Sequence, residues 1–186
     1  MSEENEHIKD FKFYITEVGF PAVFKQKVQS TLDRLNEAVG SDSFKLVNRS
    51  NSANSFINLT KVSKYFGSHS IGAGGPIYYI KKSSTRLRLS GPYTNNKISH
   101  GMDIDIDRTW VIQNLSPQQF GIQKSPNQPS HSDRSFEVLF LHEIGHGLGM
   151  KHDSDPKSVM YQSVDFDKDI SRFYDKVRFA LQKNNY

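Results

Sequence analysis

The chain has 186 residues, with 24 Lys and Arg against 20 Asp and Glu for a formal net charge of +4, and it carries 13 Phe, 8 Tyr and no Cys. So much aromatic content can build a real core and argues against disorder. The missing cysteines exclude disulfides, thiolate metal sites and thiol nucleophiles, so any metal must be held by nitrogen and oxygen. The basic residues are scattered and form no nucleic-acid-binding motif. No apolar run approaches the roughly 18 residues of a membrane span. The acidic start MSEENEHIKD shows no secretory leader. That leaves the compartment open between the cytoplasm, a leaderless export route and export with a leader already removed from this sequence, and residues 1–10 are expected to be a flexible tail.

Residues 11–18 (FKFYITEV) alternate bulky and polar side chains and predict a strand. Gly19 and Pro21 then open a helix, Pro standing where its missing N–H costs little. Its apolar stripe is Phe24, Val28, Leu32, Leu35 and Val39, and Gly40 is a natural stop. SFKLVNRS (43–50) and SFINLTKV (55–62) predict two further strands, and residues 72–91 read as glycine-punctuated strands, GAGGPIYYI and then TRLRL. GMDIDIDRTWVI (101–112) alternates strictly: Ile104 and Ile106 point one way, Asp103, Asp105 and Asp107 the other. Residues 114–133 are rich in Pro, Gln, Ser and Asn and read as a loop. A helix starts near Ser135, an irregular stretch follows it, and a last helix carries Ile170, Phe173, Val177 and Leu181 on one face. This order predicts one α+β domain over residues 1–186, an α/β sandwich around a twisted mixed sheet.

The chemistry concentrates in HEIGHGLGMKH (142–152). On a helix, His142 and His146 lie one turn apart on one face, about 6 Å along the axis, so both imidazoles can reach one ion at roughly 2.0–2.1 Å. His152 on a continued helix would lie about 9 Å further on and on another face. Gly149 offers the left-handed conformation that ends a helix, and a turn there swings His152 back toward the same ion. Three imidazoles without a thiolate suit Zn²⁺ with the fourth position left to water, and Glu143 is placed to take that water's proton as general base. The reaction so specified is hydrolysis of an amide by an activated water, without a covalent intermediate.

This run resembles the metzincin zinc metallopeptidases, whose pattern is His-Glu-x-x-His-x-x-Gly-x-x-His followed by a Met-turn. SVMY supplies the second half, with Met160 eight residues past His152. FEVLFLHEIGHGLGMKHDSDPKSVMY is similar to the matrixin type and its small bacterial relatives, and GMDIDIDRTW to the strand that precedes the active-site helix there. The resemblance implies a zincin fold: a twisted mixed five-stranded sheet with an N-terminal, an active-site and a C-terminal helix. It implies a monomeric zinc endopeptidase acting on protein or peptide substrates, with His142, His146 and His152 as ligands, Glu143 as catalytic base and Met160 beneath the site. A substrate would lie along a strand within residues 72–80. A largely apolar pocket lined by Leu139, His142 and residues 161–166 would favour a hydrophobic residue after the scissile bond. Gln162 stands where matrixins usually have Pro and where astacins and serralysins tend to have Tyr, so no tyrosine ligand is assigned.

Two secondary readings accompany the main one. Asp103, Asp105 and Asp107 are either a structural Ca²⁺ site, as matrixins commonly have near this strand, or solvated acids guarding a sheet edge. His69 and His100 are candidates for a second zinc site, though their spacing differs from the family's. The alternative from another class is a non-catalytic zinc-containing module that binds a peptide or a protein.

Overall fold

The chain is described by a computed structural model over residues 10–16, 22–60, 72–80, 86–88, 97–115, 133–163 and 167–183. The alternating segment forms β1 (Phe11–Ile15), with Phe11 and Phe13 buried and Lys12 exposed. Helix α1 (Ala22–Val39) buries Phe24, Val28, Leu32 and Leu35, as its stripe predicts, and adds Thr31, whose hydroxyl donates to the Lys27 carbonyl at 2.9 Å. It ends at Gly40, with φ of 69°. Ser41 N–H donates to Asn36 O at 3.1 Å and Gly40 N–H to Glu37 O at 3.3 Å, the paired bonds of a Schellman cap. Gly19, Pro21 and the proposed tail at residues 1–9 lie outside the described residues.

Strands β2 (Phe44–Leu46), β3 (Ser55–Thr60), β4 (Gly72–Ile80), β5 (Arg86–Arg88) and β6 (Lys97–Asp107) complete a sheet in the order β2-β1-β3-β6-β4-β5. It is mixed, as expected: β1, β2, β3 and β6 run parallel, and β4 is antiparallel to both β6 and β5. The five strands that the resemblance implies are joined by a sixth, since the TRLRL segment pairs three residues, Arg86–Arg88, with Ile77–Tyr79 of β4. Cross-strand partners share a face. Ile57 faces Ile104, and Ile104 faces Gly74 on the other side, so one face carries Phe11, Phe13, Ile57, Leu59, Met102, Ile104 and Ile106 together with Gly72 and Gly74. The aspartates of β6 fall on the opposite face, as the alternation requires.

Strand β6 ends earlier than its sequence suggests. Residues 108–115 form helix α2 (Arg108–Leu115), because the Asp107 carboxylate accepts from Trp110 N–H at 3.0 Å and caps it. The long helix α3 (Asp133–Gly147) buries Phe136, Val138, Leu139, Phe140, Leu141 and Ile144 around its whole circumference, the pattern of a helix enclosed by its neighbours. Phe140 meets Phe13 of the sheet edge-on, and Phe136 meets Phe24 of α1 likewise. The C-terminal helix α4 (Ile170–Lys183) is capped by Asp169, which accepts from Arg172 N–H at 3.1 Å, and buries Ile170, Phe173, Val177 and Leu181 as predicted. No helix of the described residues is long and apolar enough to cross a membrane. The segment read as a loop lies outside them, apart from its two ends at 114–115 and Asp133.

Two glycines separate backbone strain from crowding. Gly40 has positive φ but open space where a Cβ would stand, whereas Gly101, at φ of 144°, would place a Cβ 1.8 Å from the Asn54 carbonyl oxygen. Gly101 borders a bulge in which β6 has one residue more than β4: Ile77 pairs with Gly101 and Tyr78 with Ser99, so His100 is the extra one. Gly40→Ala should therefore cost about 1–2 kcal/mol, the penalty of left-handed backbone alone. Gly101→Ala should cost about 3 kcal/mol or more, since overpacking adds to that strain. Urea unfolding of the two variants measures the difference, and equal losses would contradict this account.

Candidate metal centre

The helix that carries the motif lies against the sheet at a distance only glycine allows. A Cβ on Gly74 would meet the Glu143 carbonyl oxygen at 2.3 Å, and one on Gly147 would meet Met102 Sδ at 2.5 Å. The remaining glycines of HEIGHGLG have separate tasks. A Cβ on Gly145 would meet Met160 Sδ at 2.3 Å, so its absence lets the methionine of the Met-turn seat beneath the helix. Gly149, at φ of 87°, ends the helix with a second Schellman pair: Met150 N–H donates to Gly145 O at 2.9 Å and Gly149 N–H to His146 O at 3.0 Å. The bend expected at Gly149 is present in the backbone.

Beyond that bend His152 returns to the helix. His146 Nε2 lies 3.1 Å from His142 Nε2 and 3.1 Å from His152 Nε2, and the three rings' donor atoms all lie within 4.8 Å of one another. Burial falls along the series: His142 is 4% exposed, His146 intermediate and His152 open to solvent. Two of the rings are held from behind. His142 Nδ1 is 2.7 Å from the Val159 carbonyl and His146 Nδ1 is 2.9 Å from the Met150 carbonyl. A carbonyl only accepts, so each Nδ1 carries the proton and each Nε2 is left with its lone pair. Burial pushes the His142 imidazole down to about 4, with the Val159 carbonyl opposing the shift, and burial lowers His146 in the same sense. Both rings are therefore neutral at pH 7. Two facing lone pairs 3.1 Å apart repel, and a cation between them removes the conflict. Tetrahedral bonds of roughly 2.0–2.1 Å would set such nitrogens about 3.3 Å apart, close to what is seen. The donor set fits a divalent ion of the zinc kind, and among the described residues it is the one His, Asp or Glu group close enough to share a metal.

Glu143 is 3% exposed and reaches toward the start of β4, where a Cβ on Gly72 would stand 2.4 Å from its Oε1. Leu139 was expected in the wall of an open pocket, but it is fully enclosed, its Cδ1 lying 3.0 Å from that same point. Tyr161 directly follows the buried Met160, and its ring is 4.8 Å from Lys168 Nζ, so it is engaged there; residues 164–166 of the expected wall lie outside the described residues.

The secondary sites fare differently. Asp103 and Asp105 both accept from Asn58 Nδ2, at 2.6 and 2.9 Å, and Asp107 caps α2. Because β6 lies between β3 and β4, these acids guard no sheet edge. No calcium-type cluster containing them is found among the described residues. His69 and the side chain of His100 lie outside those residues. Sequence reasoning missed the carbonyls of Val159 and Met150, which carry no side-chain signature. It also missed Lys168, which is 4% exposed and donates to the Pro156 carbonyl at 2.6 Å.

Comparison with known proteins agrees with this picture. The matrixin family model matches residues 88–177, a segment just under half of the chain that contains all three histidines, Glu143 and Met160. The chain is similar in fold to the crystal structure of archaemetzincin from Methanopyrus kandleri, with a TM-score of 0.51 over 98% of this chain and 99% of that one, at 12% sequence identity. No curated protein sequence matches. The chain is thus metzincin-like, matrixin-type in the segment that carries its histidines and zincin-like in its fold.

Proposed function

We propose that the chain is a zinc endopeptidase, a single catalytic domain over residues 1–186 that hydrolyses peptide bonds in proteins or peptides. The observation that carries this reading is the convergence of His142, His146 and His152 through Nε2, with two Nδ1 protons held on carbonyls and the buried carboxylate of Glu143 on the same helix. His142, His146 and His152 would hold the zinc, which would supply Lewis acidity and make water a stronger acid, with a pKa of about 7. Glu143 takes the proton from the attacking water and returns it to the leaving amine. Its low exposure keeps bulk water from competing for that proton. Residues Gly72–Gly75 of β4 pair with β6 on one side, and among the described residues β5 pairs with β4 at Ile77–Tyr79 alone. Among those residues no second strand pairs with Gly72–Gly75 near Glu143, and this edge would offer its main-chain groups to an extended peptide.

In Glu143→Ala, cleavage of a quenched peptide library should fall by about 10²–10⁴-fold. Stabilisation by zinc should persist in this variant at about 2.7 kcal/mol when zinc is at a hundred times its Kd, and His146→Ala should lose it. A parent protein whose zinc content and melting temperature are right but which cleaves nothing would instead favour the peptide-binding module. Gly72→Ala tests the aim of the base, because its methyl displaces the end of a side chain and not the backbone. A displacement of about 1 Å can cost 10²-fold in rate, so kcat should drop by about that factor while zinc affinity and KM stay near parental. An unchanged kcat would show that Glu143 does not act from its observed position.

A further inference from the structure

The third histidine is the one the helix does not hold. His142 and His146 project from α3, whereas His152 stands on exposed chain beyond Gly149. The backbone there is fixed by the next residue. Asp153 N–H donates to the Met160 carbonyl at 2.9 Å, and Asp153 bridges to Tyr161. Its carboxylate takes donors from three residues: Asp155 N–H reaches Oδ1 at 3.0 Å, Lys176 Nζ reaches Oδ2 at 2.7 Å, and the Ser158 hydroxyl also donates to it. Lys176 comes from α4, 23 residues away. Other bonds tie the same loop to the start of α4: Lys168 to the Pro156 carbonyl, Asp169 N–H to the Lys157 carbonyl at 2.7 Å, and Arg172 to Asp155. Of these, the Lys176 bond is the one that reaches the residue joined to His152. Its side chains are 37% and 22% exposed, so the pair is partly withdrawn from solvent and less screened than a surface pair.

We infer that Lys176 is a positioning residue for the third metal ligand. By holding the Asp153 carboxylate against α4, it fixes the backbone from which His152 projects and keeps His152 Nε2 at 3.1 Å from His146 Nε2. This rests on the reading of the triad as a zinc site. Outer partners of this kind typically change metal affinity by about 10–100-fold when removed. Lys176→Met keeps the apolar stem and deletes the charge, and it should weaken zinc binding by about that factor. With Co²⁺ in place of zinc it should also dim the visible bands of a four-coordinate centre. Lys176→Arg should restore both, and the metal-free melting temperature of Lys176→Met should stay near the parent's. A purely structural ion pair would do the reverse, lowering metal-free stability and leaving the zinc Kd unchanged. If Lys176→Met does not fold, Asp153→Asn reads the same pair from its other end, since it keeps Oδ1 for Asp155 and removes the charge. Zinc affinity within twofold of the parent, or a loss that Lys176→Arg does not recover, would overturn the inference alone. A parent protein that binds no zinc would overturn the zinc reading along with it.

Discussion

The site depends on how closely helix α3 approaches the sheet. At ordinary packing distance a side chain separates a helix backbone from a strand backbone, but at Gly74 the Glu143 carbonyl occupies the position a Cβ would take. Gly147 admits Met102 from β6 and Gly145 admits Met160 from below in the same way. Each contact removes a methyl that close packing would otherwise have to accommodate. The gain is positional: Glu143 comes to lie against the start of β4 and Met160 seats against Gly145, on a helix closely packed at three of its residues. A rigid element of this kind holds reactive groups more accurately than a loop could.

Burial then sets the chemistry of the first ligand. An enclosed imidazolium lacks solvation, so His142 is neutral far below its usual range, and the carbonyl of Val159 selects the tautomer whose lone pair faces the other rings. That carbonyl belongs to the residue before Met160, so the turn that seats the methionine also orients the ligand. Met150 does the same for His146, and it comes from the turn that Gly149 creates. The bend that returns His152 and the bond that aims His146 are one backbone event.

Much of this was legible in the sequence, for a physical reason. Helix ends at Gly40 and Gly149, the stripe of α1 and the face of α4 rest on local rules that a string of residues displays. The triad was legible because imidazole spacing along a helix is fixed by its pitch. What escaped was non-local or carried by the main chain. Asp107 looks like the last step of an alternating strand until its carboxylate is seen to cap α2. Val159 and Met150 contribute carbonyls, which every residue possesses, and Lys168 finds its partners, the Pro156 carbonyl and the Tyr161 ring, only in the folded loop. Leu139 was placed in a pocket wall by the family resemblance, but on the fold it is fully buried, with its Cδ1 against Gly72 of β4.

The burial gradient across the three rings carries a further consequence. His142 is ordered by the core and His146 by the helix end, so neither needs a metal to take its place. His152 has surrendered the most chain freedom for the least burial, since it is exposed and its neighbour Asp153 is held by hydrogen bonds and a charge pair. Ordering a residue costs about 1–2 kcal/mol, and exposed polar contacts return little of it. An ion that draws the three nitrogens together therefore contributes most of its folding free energy to the segment between Gly149 and Met160 and little to the helix. In a chain without cysteine, where no disulfide can pin that segment, a half-buried pair reaching from α4 and a cation at the rings are the complementary means of holding it.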